Sequence, residues 1–203
     1  MNEISTYAAD CCAVLLRGGK SRRMGQDKAL LPWGDSTFLK TVAGQMDFLD
    51  EKYLSVAAND ISSADGLSED WIRLPDLFPD RGPLGGIYTA LVSCRAQWAL
   101  VASCDIPAVE RRLFTMLLEN RTEEADIIYP LTPDGRMHMT CALYRKTSAP
   151  VILAQIEKGD NRLRILNDLC RSKAIPIDRP DYLRMLSNIN TGAELDTIRK
   201  SRN

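Results

Sequence analysis

The chain has 203 residues, 45% hydrophobic and 26% charged, with a formal net charge of −1. A chain of this length buries roughly 70% of its unfolded surface as one domain and needs no disulfide or metal to hold a core. Such a composition excludes wholesale disorder, fibrous repeats and bulk nucleic-acid binding, and apolar runs such as Cys11–Leu16 and Trp98–Ala102 fall far short of the ~20 residues of a membrane span.

In chain order, Cys11–Leu16 is a continuous apolar run, the mark of a strand buried on both faces. A polar, glycine-containing loop follows, Arg17–Lys28. Leu39, Val42, Ala43 and Met46 repeat at helical spacing and predict a helix near Thr37–Leu49, capped by Ser36 or Thr37. Strands are predicted at Tyr53–Ala58 and Trp71–Leu74. Leu84, Ile87, Tyr88 and Leu91 share one face of a helix over Leu84–Arg95, and apolar Trp98–Ala102 is a fourth strand. Beyond Pro107 come a helix at Val109–Asn120, strands at Ala125–Tyr129 and Met139–Tyr144, helices at Ala149–Lys158 and Arg162–Cys170, and a last strand at Lys173–Ile177. Thr191-Gly192-Ala193-Glu194 has the form of a capping box that opens a C-terminal helix.

Strands alternating with helices of about a dozen residues imply right-handed crossovers. The expected fold is therefore a three-layer α/β/α sandwich around a Rossmann-like, mainly parallel sheet, as a single domain over 1–203. The polar, acidic segment Met1–Asp10 lacks the basic start and apolar core of an export signal, so a cytoplasmic protein is expected. Cys11, Cys12, Cys94, Cys104, Cys141 and Cys170 form no Cys-x-x-Cys pair and read as reduced, buried small hydrophobes. With His138 as the sole histidine, no zinc-ligand spacing is present.

Ligands of parallel sheets bind beyond the carboxyl ends of the strands. That rule singles out Arg17–Lys28, Asn59–Asp60, Pro75–Gly86, Ser103–Pro107 and Pro130–His138. The first of these, Arg17-Gly18-Gly19-Lys20-Ser21-Arg22-Arg23-Met24-Gly25-Gln26-Asp27-Lys28, carries a local charge of +4 in a chain of net −1. Its glycines let the backbone turn sharply and present N–H groups, and its cations suit a polyphosphate. It is no Walker A loop, because Val14 stands where that motif needs glycine, and the Gly-x-Gly-x-x-Gly fingerprint is absent.

Leu16-x-Gly18-Gly19-x-Ser21-x-Arg23-Met24-Gly25-x-Asp27-Lys28 closely resembles the signature of nucleotidyltransferases acting on nucleoside triphosphates, and among them the molybdenum cofactor guanylyltransferases. Pro75-Asp76, Gly82-Pro83-Leu84-x-Gly86, Cys104-Asp105-x-Pro107, His138-x-Thr140 and Asn188-x-Asn190-Thr191 follow in the family's order, so the resemblance spans about residues 13–198. Arg17 departs from the family's alanine, and Gly192 stands where many relatives have proline. The resemblance implies a glycosyltransferase-A-like nucleotidyltransferase fold. It also implies transfer of GMP from GTP to molybdenum-bound molybdopterin, with Mg²⁺ as cofactor and transient contacts to other cofactor-assembly proteins and recipient apoenzymes.

The same resemblance assigns roles to residues. Asp105, Lys28 and Arg23 would be catalytic. Leu16, Arg17, Gly18, Gly19, Arg22, Asn59 and Asp76 would join Lys28 and Asp105 in binding the nucleotide, with Leu16–Gly18 framing guanine. Gly82, His138, Asn188 and Asn190 would hold the acceptor, and Asn190 would complete the metal site with Asp105. Position alone leaves Asp105 equally open to a turn-forming role before Pro107, Lys28 to solvated exposure, Asn59, Asp76 and Asn190 to turns, and His138 to a structural role. Arg22 or Arg23 could instead pair with Asp27. Arg17 can point outward into solvent or lie over the base as a cation–π partner, and the outward rotamer is expected because the family's alanine needs only its backbone there. Rival readings are a cytidylyltransferase for the same pterin, a sugar-phosphate nucleotidyltransferase, and a non-catalytic nucleotide-binding carrier.

Overall fold

The computed structural model describes residues 8–17, 27–57 and 65–189. Gly18, Gly19, Arg22, Arg23, Asn59, Asn190 and the capping box at 191–194 lie outside these.

The described residues form nine strands. They are β1 (Cys11–Leu16), β2 (Pro32–Trp33), β3 (Ser36–Thr37), β4 (Lys52–Val56), β5 (Trp71–Pro75), β6 (Trp98–Ser103), β7 (Ile127–Leu131), β8 (Cys141–Arg145) and β9 (Ser172–Pro176). Six α-helices accompany them: α1 (Phe38–Gln45), α2 (Pro83–Ser93), α3 (Arg111–Glu119), α4 (Ala149–Glu157), α5 (Leu166–Leu169) and α6 (Pro180–Met185). Seven strands make one sheet in the order β5-β4-β1-β6-β8-β7-β9.

Apolar β1 runs down the middle, parallel to β4 on one side and to β6 on the other, with Val14 beside Tyr53 and Val101. Its side chains alternate between two cores. Ala13 and Leu15 pack with Leu39, Val42, Phe114 and Leu117, while Cys12, Val14 and Leu16 pack with Leu84, Ile87, Leu91 and Ile152. Two buried faces require an all-apolar strand, which is why β1 shows no polar alternation. Thr37 caps α1 by accepting from the Lys40 N–H at 3.3 Å, and Ser36 sits in β3.

The sheet is mainly parallel as expected, with β8 antiparallel to both β6 and β7. Other features differ from expectation. The span 162–170 is only a 3₁₀ turn, Leu163–Ile165, followed by the single-turn α5. The β2–β3 hairpin and α6 were not evident in the sequence pattern. The hairpin turns at Gly34, whose φ of +58° favours glycine. It anchors a satellite apolar cluster of Leu31, Trp33, Phe38 and Ile189, with Trp33 and Phe38 edge to face at 5.7 Å. All six cysteines are free, five of them buried and Cys170 half-buried.

Candidate active site

The parallel half of the sheet delivers its polar residues to one rim. At the end of β1, the Leu16 carbonyl accepts from the Cys104 N–H at 3.1 Å, and the Arg17 N–H reaches the Ser55 carbonyl at 3.4 Å. The Cys104 thiol donates to the Arg17 carbonyl at 3.0 Å. Backbone at position 17 is thus tied to the ends of both β4 and β6.

Asp105 lies two residues past the end of β6, after Cys104. Asn188 donates its side-chain amide to Asp105 Oδ2 at 3.0 Å, and the Ile189 N–H bonds the Asp105 carbonyl at 2.9 Å. Lys28 Nζ stands 3.8 Å from the same Oδ2. The other oxygen, Oδ1, is buried with no hydrogen-bond partner among the described residues. A buried carboxylate oxygen without a partner is costly unless a ligand completes it. Asp27 sets the Lys28 turn: its Oδ1 accepts from the Ala29 N–H at 3.0 Å and so caps the 3₁₀ helix Lys28–Leu30.

The Arg17 side chain does not turn outward. It is 10% exposed and folds back onto Asp27, with Nη2 at 2.7 Å and Nε at 3.2 Å from Oδ2. The acid at position 27 draws it in, because a guanidinium held over the rim gains a charged partner there and solvent offers only water. Among the described residues, Asp27 therefore has Arg17 as its basic partner.

Asp76 lies beyond β5, where its Oδ1 accepts from the Ser55 hydroxyl at 2.8 Å and its N–H bonds the Val56 carbonyl at 3.0 Å. Burial pushes its carboxyl above the usual range, and the Ser55 hydrogen bond offsets part of that. Gly82 precedes α2 with φ of +58°. A Cβ at Gly86 would collide with the Ser55 side chain and lie 3.0 Å from Leu16 Cδ2, so the glycine lets α2 press against the ends of β1 and β4.

His138 is buried beside Thr132, with Nε2 3.3 Å from the hydroxyl, and its N–H bonds the Pro130 carbonyl. Burial, helped by nearby Arg136, pushes its pKa down to about 4. This places a neutral imidazole inside the β7–β8 connection. The neighbouring Met137 lines a cavity of about 360 Å³ with Arg162, Arg164, Ile165 and Asp168. Asp105, Lys28 and Asn188 come together, Leu16, Arg17 and Asp76 flank them along the strand ends, and His138 is held by its own loop. Sequence reading missed Ser55, for which a strand serine gives no signal, and the Arg162/Arg164 pair, which its helix assignment had absorbed.

The described residues group no three His, Cys, Asp or Glu side chains around a metal position. Mg²⁺ takes one or two carboxylates and fills the remaining positions with substrate phosphates and water. The partnerless Oδ1 of Asp105 fits that pattern, and Asp105 is the described residue that would hold the ion.

The profile of the MobA-like NTP transferase domain matches residues 13–173. The chain belongs to this family. Relatives of the MobA-like transferase include "Molybdenum cofactor guanylyltransferase" of Aliivibrio salmonicida, 30% identical over 90% of this chain and 92% of the relative. Another is "Probable molybdenum cofactor guanylyltransferase" of Flavobacterium johnsoniae, 30% identical over 91% and 94%. A solved structure, molybdopterin-guanine dinucleotide biosynthesis protein A from Archaeoglobus fulgidus, superimposes with a TM-score of 0.79 at 20% identity, covering 93% of this chain and 97% of that one. The 2-C-methyl-D-erythritol 4-phosphate cytidylyltransferase of Thermus thermophilus shares the fold at TM-score 0.65. The expected α/β nucleotidyltransferase fold is therefore correct for this MobA-like chain. Among its described residues, no helix is long and apolar enough to cross a membrane.

Proposed function

We propose that this transferase moves GMP from GTP to the terminal phosphate of molybdenum-bound molybdopterin and releases pyrophosphate. The observation that carries the reading is the meeting of Asp105 and Lys28 just past β6, with one carboxylate oxygen left open among the described residues. The names of the full-length relatives support the substrate pair.

In this reaction an acceptor phosphate oxygen attacks the α-phosphorus of GTP. A new P–O bond forms, the bond from the α-phosphorus to the α–β bridging oxygen breaks, and the electron pair leaves with pyrophosphate. The nucleophile is already anionic, so a protein base is unnecessary and positioning with charge stabilisation suffices. Lys28 neutralises charge growing on the leaving group. Asp105 presents Oδ1 toward the reacting phosphates while Asn188 fixes the carboxylate's rotation. Mg²⁺, when bound there, supplies Lewis-acid polarisation of the α-phosphate. Asp76 is half-buried beside the strand ends where the nucleoside is expected, and on the β7–β8 side, where the acceptor is expected, Arg164 lines the cavity together with Arg162, which Asp160 holds at 2.6 Å. The guanine preference rests on Gly18, whose missing Cβ allows close approach of a purine edge. Arg22, Arg23, Gly19 and Asn59 belong to the same nucleotide reading, and Asn190 to the metal reading. The protein acts in the cytoplasm and passes its product to assembly partners and apoenzymes.

Pyrophosphate release with GTP, CTP or ATP and with pterin or sugar-phosphate acceptors tests this reading. Release that requires GTP and molybdenum-molybdopterin supports it; release with CTP alone, or with a sugar phosphate, replaces it.

A further inference from the structure

We infer that Arg17 is a positioning residue for nucleotide binding: its guanidinium fixes Asp27, and through Asp27 the turn that presents Lys28 to Asp105. The inference rests on the reading that this site binds a nucleoside triphosphate.

Four observations form one chain of contacts. First, the backbone of Arg17 is pinned on both sides, by Ser55 of β4 and by the Cys104 thiol after β6. The side chain therefore springs from a fixed point. Second, the two oxygens of Asp27 divide their work. Oδ2 takes both Arg17 contacts, at 2.7 and 3.2 Å, and Oδ1 caps the next turn at the Ala29 N–H. A carboxylate held by its cap alone rotates freely about that bond, and the arginine removes this freedom. Third, Lys28 is the first residue of the capped turn and reaches within 3.8 Å of Asp105. Fourth, Asp27 retains 39% side-chain exposure while Arg17 is 10% exposed. The arginine is thus the inner, better-shielded member, where a charge-assisted bond is stronger than at an open surface.

The pair also protects the charge on Lys28. Without Arg17, the Asp27 carboxylate sits next in sequence to Lys28 with its negative charge uncompensated by that arginine. It then competes with Asp105 and the incoming phosphates for the ammonium. Removing Arg17 therefore harms the site through Asp27, so removing the Asp27 charge as well adds no further loss. An arginine stacked on the base behaves differently, because its loss changes the preference among bases and combines independently with changes at Asp27.

The test is a double-mutant cycle of Arg17→Ala and Asp27→Asn on the full chain, with GTP and CTP affinities measured by titration and kcat/KM by pyrophosphate release. Asparagine keeps the cap oxygen for Ala29 while losing the charge. Arg17→Ala is expected to weaken GTP binding about tenfold, by the same factor for CTP, with melting within a few degrees of the parent. The double variant binds GTP no more weakly than Arg17→Ala. Arg17→Lys restores part of the loss as a single point charge, and it carries the test if the alanine variant fails to fold. Parental affinity in Arg17→Ala, additive losses in the double variant, or a changed GTP-to-CTP ratio each overturn the inference. A parent that binds no nucleoside triphosphate overturns the functional reading itself, whatever the variants do.

Discussion

Replacing Asp105 by asparagine removes one oxygen and little else. In the parent, Asn188 donates its amide to Asp105 Oδ2, while Oδ1 is buried without a partner among the described residues. An asparagine at 105 must turn its carbonyl oxygen toward Asn188, since two amide groups facing each other leave donors unsatisfied. Its NH₂ then occupies the position of Oδ1 and can ligate no cation. The variant also loses the charge opposite Lys28 at 3.8 Å. That pair is partly solvated, so its loss costs about 1 kcal/mol of stability or less, a melting shift of about 2–4 °C at this chain length. Loss of one transition-state charge contact costs about 3–4 kcal/mol, or roughly 10²–10³ in rate. Divalent-dependent pyrophosphate release and thermal melting, measured on the same preparation, separate the two effects. Activity within about threefold of the parent refutes the assignment of Asp105 to the reacting phosphates. A collapse in melting temperature refutes the claim that the change is confined to the open oxygen.

Lys28→Ala should lower both GTP affinity and turnover, by about tenfold or more in kcat/KM, and raised salt should weaken GTP binding to the parent; titrations at two ionic strengths check both. Gly86→Ala forces a Cβ into the Ser55 side chain and against Leu16. It should cost about 1–3 kcal/mol and raise the KM for GTP as the Ser55–Asp76 hydrogen bond is disturbed, read from melting and steady-state kinetics. His138 is held neutral in the fold with its pKa pushed down to about 4, against about 6.5 in the unfolded chain. The unfolded state therefore binds the extra proton first. The stability contribution is complete above about pH 6.5 and is lost as pH falls toward 4, on the order of 3 kcal/mol. Melting scans across that window should show the slope in the parent, and it should flatten in His138→Gln.

Much of the fold was legible because its strands are buried on both faces. β1 and β6 announce themselves as unbroken apolar runs, and α2 as a helical stripe of Leu84, Ile87 and Leu91. Strand direction carries no such signal, so antiparallel β8 reads like any other strand until its partners are known. The β2–β3 hairpin has two residues per strand, too few for any period to register. At the site, Asp105 and Lys28 stand out only through the family resemblance of their motifs, since position alone leaves each open to a turn or a solvated role. The rotamer of Arg17 is not legible even so, because it depends on an acid ten residues away that folding brings within 2.7 Å. Asp65 shows the same limit. This 1%-exposed acid is held by Arg73 at 2.6 Å, yet in sequence it looks like an ordinary loop aspartate.

The reversal of β8 brings two halves of the sheet to one rim. β5, β4, β1 and β6 run parallel and end at the nucleotide side, whereas β8 and β7 return the chain so that the 132–140 connection meets the same rim from the opposite half. That connection is closed by its own bonds, Thr132 to Arg136 and Pro130 to His138. It can lengthen, shorten or change residues without shifting the register of β1 against β6. If this connection holds the acceptor, as proposed, a change of acceptor needs changes within it alone and leaves the strand ends beside Asp105 and Lys28 in register. Grafting the 130–140 segment between relatives is the corresponding engineering route to transferases with the same donor and a different acceptor.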